Sequence, residues 1–107
     1  MKNKEFLDAI LVLVSIESIA RVNVTPEAPY GAGPAEALRY VLNLCQTLGI
    51  RTENPDGKVA WAEIGQGEEI VGVLGHLDTV PAGGGWTHDP GGELCGDRLY
   101  GRGVADD

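Results

Sequence analysis

Residues 71–75, Val-Gly-Val-Leu-Gly, form an apolar run that ends on His76-Leu77-Asp78. An apolar, β-branched run of this length reads as a buried strand. Side chains two apart on a strand share a face, so His76 and Asp78 leave its C-terminal end together. Thr79-Val80-Pro81 then closes the strand, because proline has no N–H to give a sheet ladder. In open α/β sheets, ligand sites lie beyond the carboxyl ends of strands, which is where this pair falls. A neutral imidazole is a good ligand for zinc, and a carboxylate beside it either ligates too or holds the ring in one tautomer through its other nitrogen. By itself the pair is also open to a plainer reading, a structural histidine bonded to a nearby aspartate.

A second cluster lies at residues 97–107. Asp97-Arg98-Leu99-Tyr100 reads as a turn entering a short strand, and Gly101-Arg102-Gly103 supplies a permissive backbone just before Asp106-Asp107. Adjacent carboxylates repel, so a buried pair needs a cation or an equivalent partner. The alternative for this segment is a solvated acidic turn.

The remainder reads as packing. From Lys4 to about Ala20, Phe6, Ile10, Leu13 and Val14 recur at helical spacing, with Ile16 and Ile19 widening the apolar surface. Lys2 and Lys4 ahead of an apolar stretch raise the question of a signal peptide, but Glu5, Asp8 and Glu17 interrupt it and Ser18-Ile19-Ala20-Arg21 is a poor cleavage site. The run is too short to span a membrane, and a core-packing helix in a cytoplasmic protein is expected. Residues 22–33, with Pro26, Pro29, Gly31 and Gly33, read as a loop. Pro34 suits the first position of a second helix whose apolar face is Leu38, Val41, Leu42, Cys45 and Leu48, stopped by Gly49. Residues 50–53 read as a short strand, Asn54-Pro55-Asp56-Gly57 as a turn, residues 59–64 as a half-buried strand, and residues 65–68 as the turn into the 69–75 strand. The order fits an α/β sandwich with a mixed sheet.

The chain is long enough for one domain or part of one, with a small core. Its 43% hydrophobic and 22% charged residues are those of an ordinary globular protein and argue against disorder. A formal charge of -8 argues against nucleic-acid or anionic-membrane partners, which want a basic face. Two cysteines, Cys45 and Cys95, with no secretory pattern, are expected as free thiols. Trp86 is read as core, with a rim contact as the alternative, and His88 is left out of the ligand set.

Three motifs taken in order carry a family likeness: Gly75-His76-Leu77-Asp78-Thr79-Val80-Pro81, Gly85-Trp86-Thr87-His88-Asp89-Pro90, and residues 99–107, Leu-Tyr-Gly-Arg-Gly-Val-Ala-Asp-Asp. Together they resemble the di-zinc metallopeptidase family of carnosinases, acetylornithine deacetylases, succinyl-diaminopimelate desuccinylases and glutamate carboxypeptidases. Within it they look most like the bacterial Xaa-His (β-Ala-Xaa) dipeptidase branch. Gly91-Gly92 departs from the bulky residues that many relatives carry there, which bears on loop packing and substrate choice.

The resemblance implies a three-layer α/β/α catalytic domain with a mixed sheet, of which residues 1–107 are the N-terminal portion. It implies that His76 is a zinc ligand, that Asp78 orients and polarises that histidine, and that Asp106 bridges two metal ions, with Asp107 structural or supporting. Two zinc ions, replaceable by Co2+ or Mn2+, would activate a water against a peptide carbonyl. The glutamate pair, the remaining ligands and the lid or dimerisation domain of such relatives fall beyond Asp107, so this stretch is expected to be inactive alone. The substrate expected for the whole enzyme is a small dipeptide, with deacylation of N-acyl amino acids as the alternative within the class and a non-catalytic fragment as the alternative outside it.

Overall fold

The computed structural model describes residues 3–106; Met1, Lys2 and Asp107 lie outside the described residues. Helix α1 runs Asn3–Ser15, shorter than the expected span to Ala20. It ends because the chain is taken up elsewhere. Ser15 Oγ donates to the Val12 carbonyl and the Ser18 N–H to the Ile16 carbonyl, a tight exit that aims Ile19 at a parallel bridge with Thr79.

Helix α2 spans Ala32–Thr47. Pro34 sits at its third residue rather than its first, still within the turn whose N–H groups have no intrahelical acceptor, so the missing donor costs no helical bond. Gly49 ends the helix with φ 71°, a left-handed conformation that glycine adopts without strain. Ala37, fully buried, is the central packing residue of the helix.

Strands β1 (Arg51–Glu53) and β2 (Trp61–Glu63) pair antiparallel in the register Arg51↔Glu63, Thr52↔Ala62, Glu53↔Trp61, and β1 packs beside α2. The turn between them is held by Asn54 Oδ1 accepting from Gly57 N–H and Asp56 Oδ1 from Lys58 N–H, each at 3.1 Å. Arg51 and Glu63 form a cross-strand ion pair. A second hairpin, β3 (Glu93–Cys95) and β4 (Arg98–Tyr100), turns through Gly96-Asp97, and α1 lies against it through Leu11 and Val14.

The largest departure from expectation is residues 69–75. They form no strand and make no ladder bond among the described residues, and Ile70, Val71, Val73 and Leu74 are 89–95% exposed. The expected buried strand and mixed sheet are therefore not built here. The pattern suits burial, but each of the two short sheets is a single hairpin and neither pairs with this segment. Two helices and four short antiparallel strands give the chain a mixed α/β character.

Surface and shape agree. The accessible area is 8205 Å² against about 5,700 Å² for a compact monomer of this mass. The radius of gyration is 15.1 Å where about 13 Å is usual for this length. Fully packed apolar side chains are few, with Ala28 and Ala37 the buried ones among the described residues. No helix among them is long and apolar enough to cross a membrane. Cys45 and Cys95 are free thiols, as expected.

Candidate metal centre

Although residues 69–75 lack a partner, the three residues after Gly75 are anchored. Ser18, only 2% exposed, donates its hydroxyl to the Leu77 carbonyl at 2.6 Å, and its own carbonyl accepts from Thr79 N–H at 2.8 Å. Those bonds take the backbone at Leu77 and Thr79. The alternation of the chain then sends His76 and Asp78 to one side together.

The imidazole of His76 lies between two aspartates. Its Nδ1 donates to the Asp78 carbonyl oxygen at 2.9 Å and lies 3.2 Å from Asp78 Oδ1. Two acceptors on that side place Nδ1 as a donor and leave Nε2 facing Asp106. Nε2 lies 3.6 Å from Asp106 Oδ2. All three side chains are near half-exposed, so these contacts add little to stability and do not explain the arrangement on that ground.

Two Lewis bases facing one another suit a cation between them. Zinc holds imidazole nitrogen at about 2.0–2.1 Å and carboxylate oxygen at about 2.0–2.2 Å, which leaves two tetrahedral ligands about 3.4 Å apart. The His76–Asp106 separation is within a few tenths of an ångström of that. A carboxylate on the far ring nitrogen is the usual support of a metal-binding histidine, and Asp78 supplies it. His76 and Asp106 thus fit a metal by donor chemistry and spacing. No group of three His, Cys, Asp or Glu residues able to hold a metal occurs among the described residues, however, so two donors stand where a zinc site uses three or four. Asp107, read as structural or supporting, lies outside the described residues.

Asp106 reaches His76 because its loop is drawn in against α1. A Cβ on Gly101 would lie 2.5 Å from Val14 Cγ1 and 3.0 Å from Val104 Cγ2, so only glycine allows this approach. The resulting open cleft, about 450 Å³, is lined by His76, Asp78, Thr79, Arg102 and Asp106 among others. That volume is within the range of small-molecule sites.

His88 is absent from this cleft. Its ring stacks on Tyr100 at 3.7 Å between centroids, and its Nδ1 lies 3.3 Å from Glu93. Glu93 also accepts the Asp89 N–H at 2.9 Å; that bond, followed by the one from His88, holds its carboxyl below the usual range. Trp86 is a rim residue rather than core, donating its Nε1–H to the Ala82 carbonyl at 2.9 Å. Reading the sequence misses Ser18 and Arg102. Ser18 leaves no signal; Arg102 has one, its place between two glycines.

No family model matches the chain. It is 43% identical over 83 residues, 77% of its length, to YtjP of Bacillus subtilis, whose name carries a provisional dipeptidase assignment. It is 39% identical over 105 residues, 96% of its length, to a similarly named protein of Staphylococcus epidermidis. Over 103 residues, 94% of its length, it is 38% identical to the β-Ala-Xaa dipeptidase of Lactobacillus delbrueckii subsp. lactis. The chain spans about a fifth of the length of these curated relatives, at 18%, 22% and 22%. Nearly the whole chain is therefore similar to the corresponding part of proteins that bear dipeptidase names.

Proposed function

We propose that this chain carries the leading half of a zinc-dependent dipeptidase centre, as the first portion of a three-layer α/β/α catalytic domain. The observation that carries the reading is the placement of His76 between Asp78 and Asp106, with Nε2 and Oδ2 3.6 Å apart. The names of the relatives favour dipeptides over N-acyl amino acids as substrates.

In this reading His76 and Asp106 hold the metal, and Asp78 acts through His76. Its carboxylate and its carbonyl both accept from Nδ1, which fixes the ring so that Nε2 faces Asp106 and raises the basicity of that nitrogen. Bound there, zinc would supply Lewis acidity toward a peptide carbonyl and lower the pKa of a water. The cleft of about 450 Å³ beside the three residues leaves room for a small substrate. Among the described residues two donors stand where a catalytic zinc site uses three or four, so in this reading the remaining ligands come from outside them.

The test is metal-dependent hydrolysis of β-Ala-Xaa and Xaa-His dipeptides and N-acyl amino acids by the gene product at the length the cell makes, with His76→Ala and Asp106→Ala alongside. Dipeptide cleavage lost in both variants is the expected result. Activity confined to N-acyl amino acids would transfer the assignment to a deacylase, and activity that survives both substitutions would sink the metal assignment.

A further inference from the structure

Arg102 lies on the wall of the same cleft as His76, Asp78 and Asp106, yet its bonds run away from them. Its Nη2 donates to the Ala82 carbonyl at 3.1 Å, the same oxygen that accepts from Trp86 Nε1 at 2.9 Å. Its guanidinium carbon sits 5.2 Å from the centre of the Trp86 ring, within cation–π range. Its backbone N–H donates to the Pro90 carbonyl at 2.8 Å. One residue thus joins three segments: the loop after Asp78, the turn before the second hairpin, and the loop that carries Asp106.

The spacing gives the joint its purpose. Ala82 follows Asp78 by four residues, and Asp106 follows Arg102 by four. A bond between Ala82 and Arg102 therefore leaves two short arms, of four residues each, that end on the Asp78 and Asp106 sides of the imidazole. Arg102 Nε is buried without a hydrogen-bond partner among the described residues. An orphaned buried donor carries a desolvation penalty that fold stability alone would not select.

We propose that Arg102 is a positioning residue of the metal centre, setting the distance between His76 and Asp106 by locking the Ala82–Trp86 loop to the loop that carries Asp106. This rests on the metal reading of those residues. The planar guanidinium is suited to the task because it lies over the Trp86 ring while Nη2 donates to Ala82; lysine keeps the charge but loses the planar fork.

The experiment is a Co2+ titration of the gene product at its natural length, in competition with a chelator, reading affinity and the visible absorption of bound cobalt, with far-UV circular dichroism and thermal melting as controls for folding. Arg102→Met is expected to bind Co2+ about 10–100-fold more weakly and to shift the visible band while the far-UV spectrum stays native. Arg102→Lys is expected to fall between it and the parent, at several-fold weaker. Should Arg102→Met not fold, Arg102→Lys decides: several-fold weaker binding with a native melt supports the proposal, and unchanged binding overturns it. Parental affinity and band in a folded Arg102→Met also overturn it. Tighter binding in Arg102→Met overturns it as well, since that is the result of removing a cation that merely repels the metal. His76→Ala separates the two layers: loss of the cobalt band upholds the metal reading, whereas an unchanged band there removes that reading and the proposal with it.

Discussion

The hydroxyl of Ser18 lies 2.6 Å from the carbonyl oxygen of Leu77, a bond across 59 residues that fixes the backbone between the two side chains of the site. Ser18→Ala removes the donor and leaves that carbonyl in a partly buried place without it. A destabilisation of about 1 kcal/mol is expected, read from equilibrium urea unfolding. The Thr79 N–H bond to the Ser18 carbonyl survives the substitution, so the loss should stay near this size.

Asp78→Asn tests the support of the histidine. The Asp78 carbonyl oxygen, at 2.9 Å from Nδ1, still holds the ring proton in the variant, so the ring keeps its orientation and loses only the charge behind it. Metal affinity should fall about tenfold, the low end of what such supporting groups contribute, as measured by isothermal titration calorimetry. A loss as complete as that of His76→Ala would show Asp78 to be a ligand in its own right.

Gly101→Ala should act through packing. The new methyl meets Val14 Cγ1 at 2.5 Å, pressing α1 away from the loop that carries Asp106. A cost of about 1–3 kcal/mol is expected in unfolding experiments. Adding Val14→Ala opens that space, so the double variant should lose less than the two single losses added together.

The Glu93 carboxyl sits below its ordinary value of 4.5 in the folded chain, chiefly because the Asp89 N–H and then His88 bond its charged form. A depressed folded value contributes stability that is present above the unfolded pKa and lost as pH falls through the folded one. The bonds around the second hairpin should therefore hold at neutral pH and loosen only in acid below about 4.5. A nuclear magnetic resonance titration of the Glu93 side chain reads this directly.

How much of this was legible in the chain depends on the range of the signal. Local patterns served well: the apolar face of α2 and the Gly49 stop, the Asn54–Gly57 turn, and the period of two that sends His76 and Asp78 to one side. Pro34 was misplaced by two residues because the whole first turn of a helix tolerates proline, so the residue marks a neighbourhood rather than a position. Strand β3 was missed because Glu93-Leu94-Cys95 is too short to show a period, and its pairing is set by the Gly96-Asp97 turn. Residues 71–74 carried the signal of a buried strand and are exposed, since composition records what a segment is fit to touch and not what is there to touch it. Asp106 was marked by its paired carboxylate, but only family likeness joined it to His76, thirty residues away. Ser18 was invisible as an anchor because its partner is a backbone carbonyl, which every residue possesses, and the glycines on either side of Arg102 mark its loop without naming Ala82 as its partner.

Residues 69–75, with no ladder partner among the described residues, run directly into His76. Any strand that hydrogen-bonds along them would narrow the range of positions open to the imidazole, and a cation seated between His76 and Asp106 would in turn narrow the range open to that segment. Two events that favour the same arrangement of one segment share a coupling free energy, and that coupling is reciprocal. A metal held at His76, as proposed, would then bind with an affinity that gauges how far residues 69–75 are paired, readable from solution without resolving a single strand.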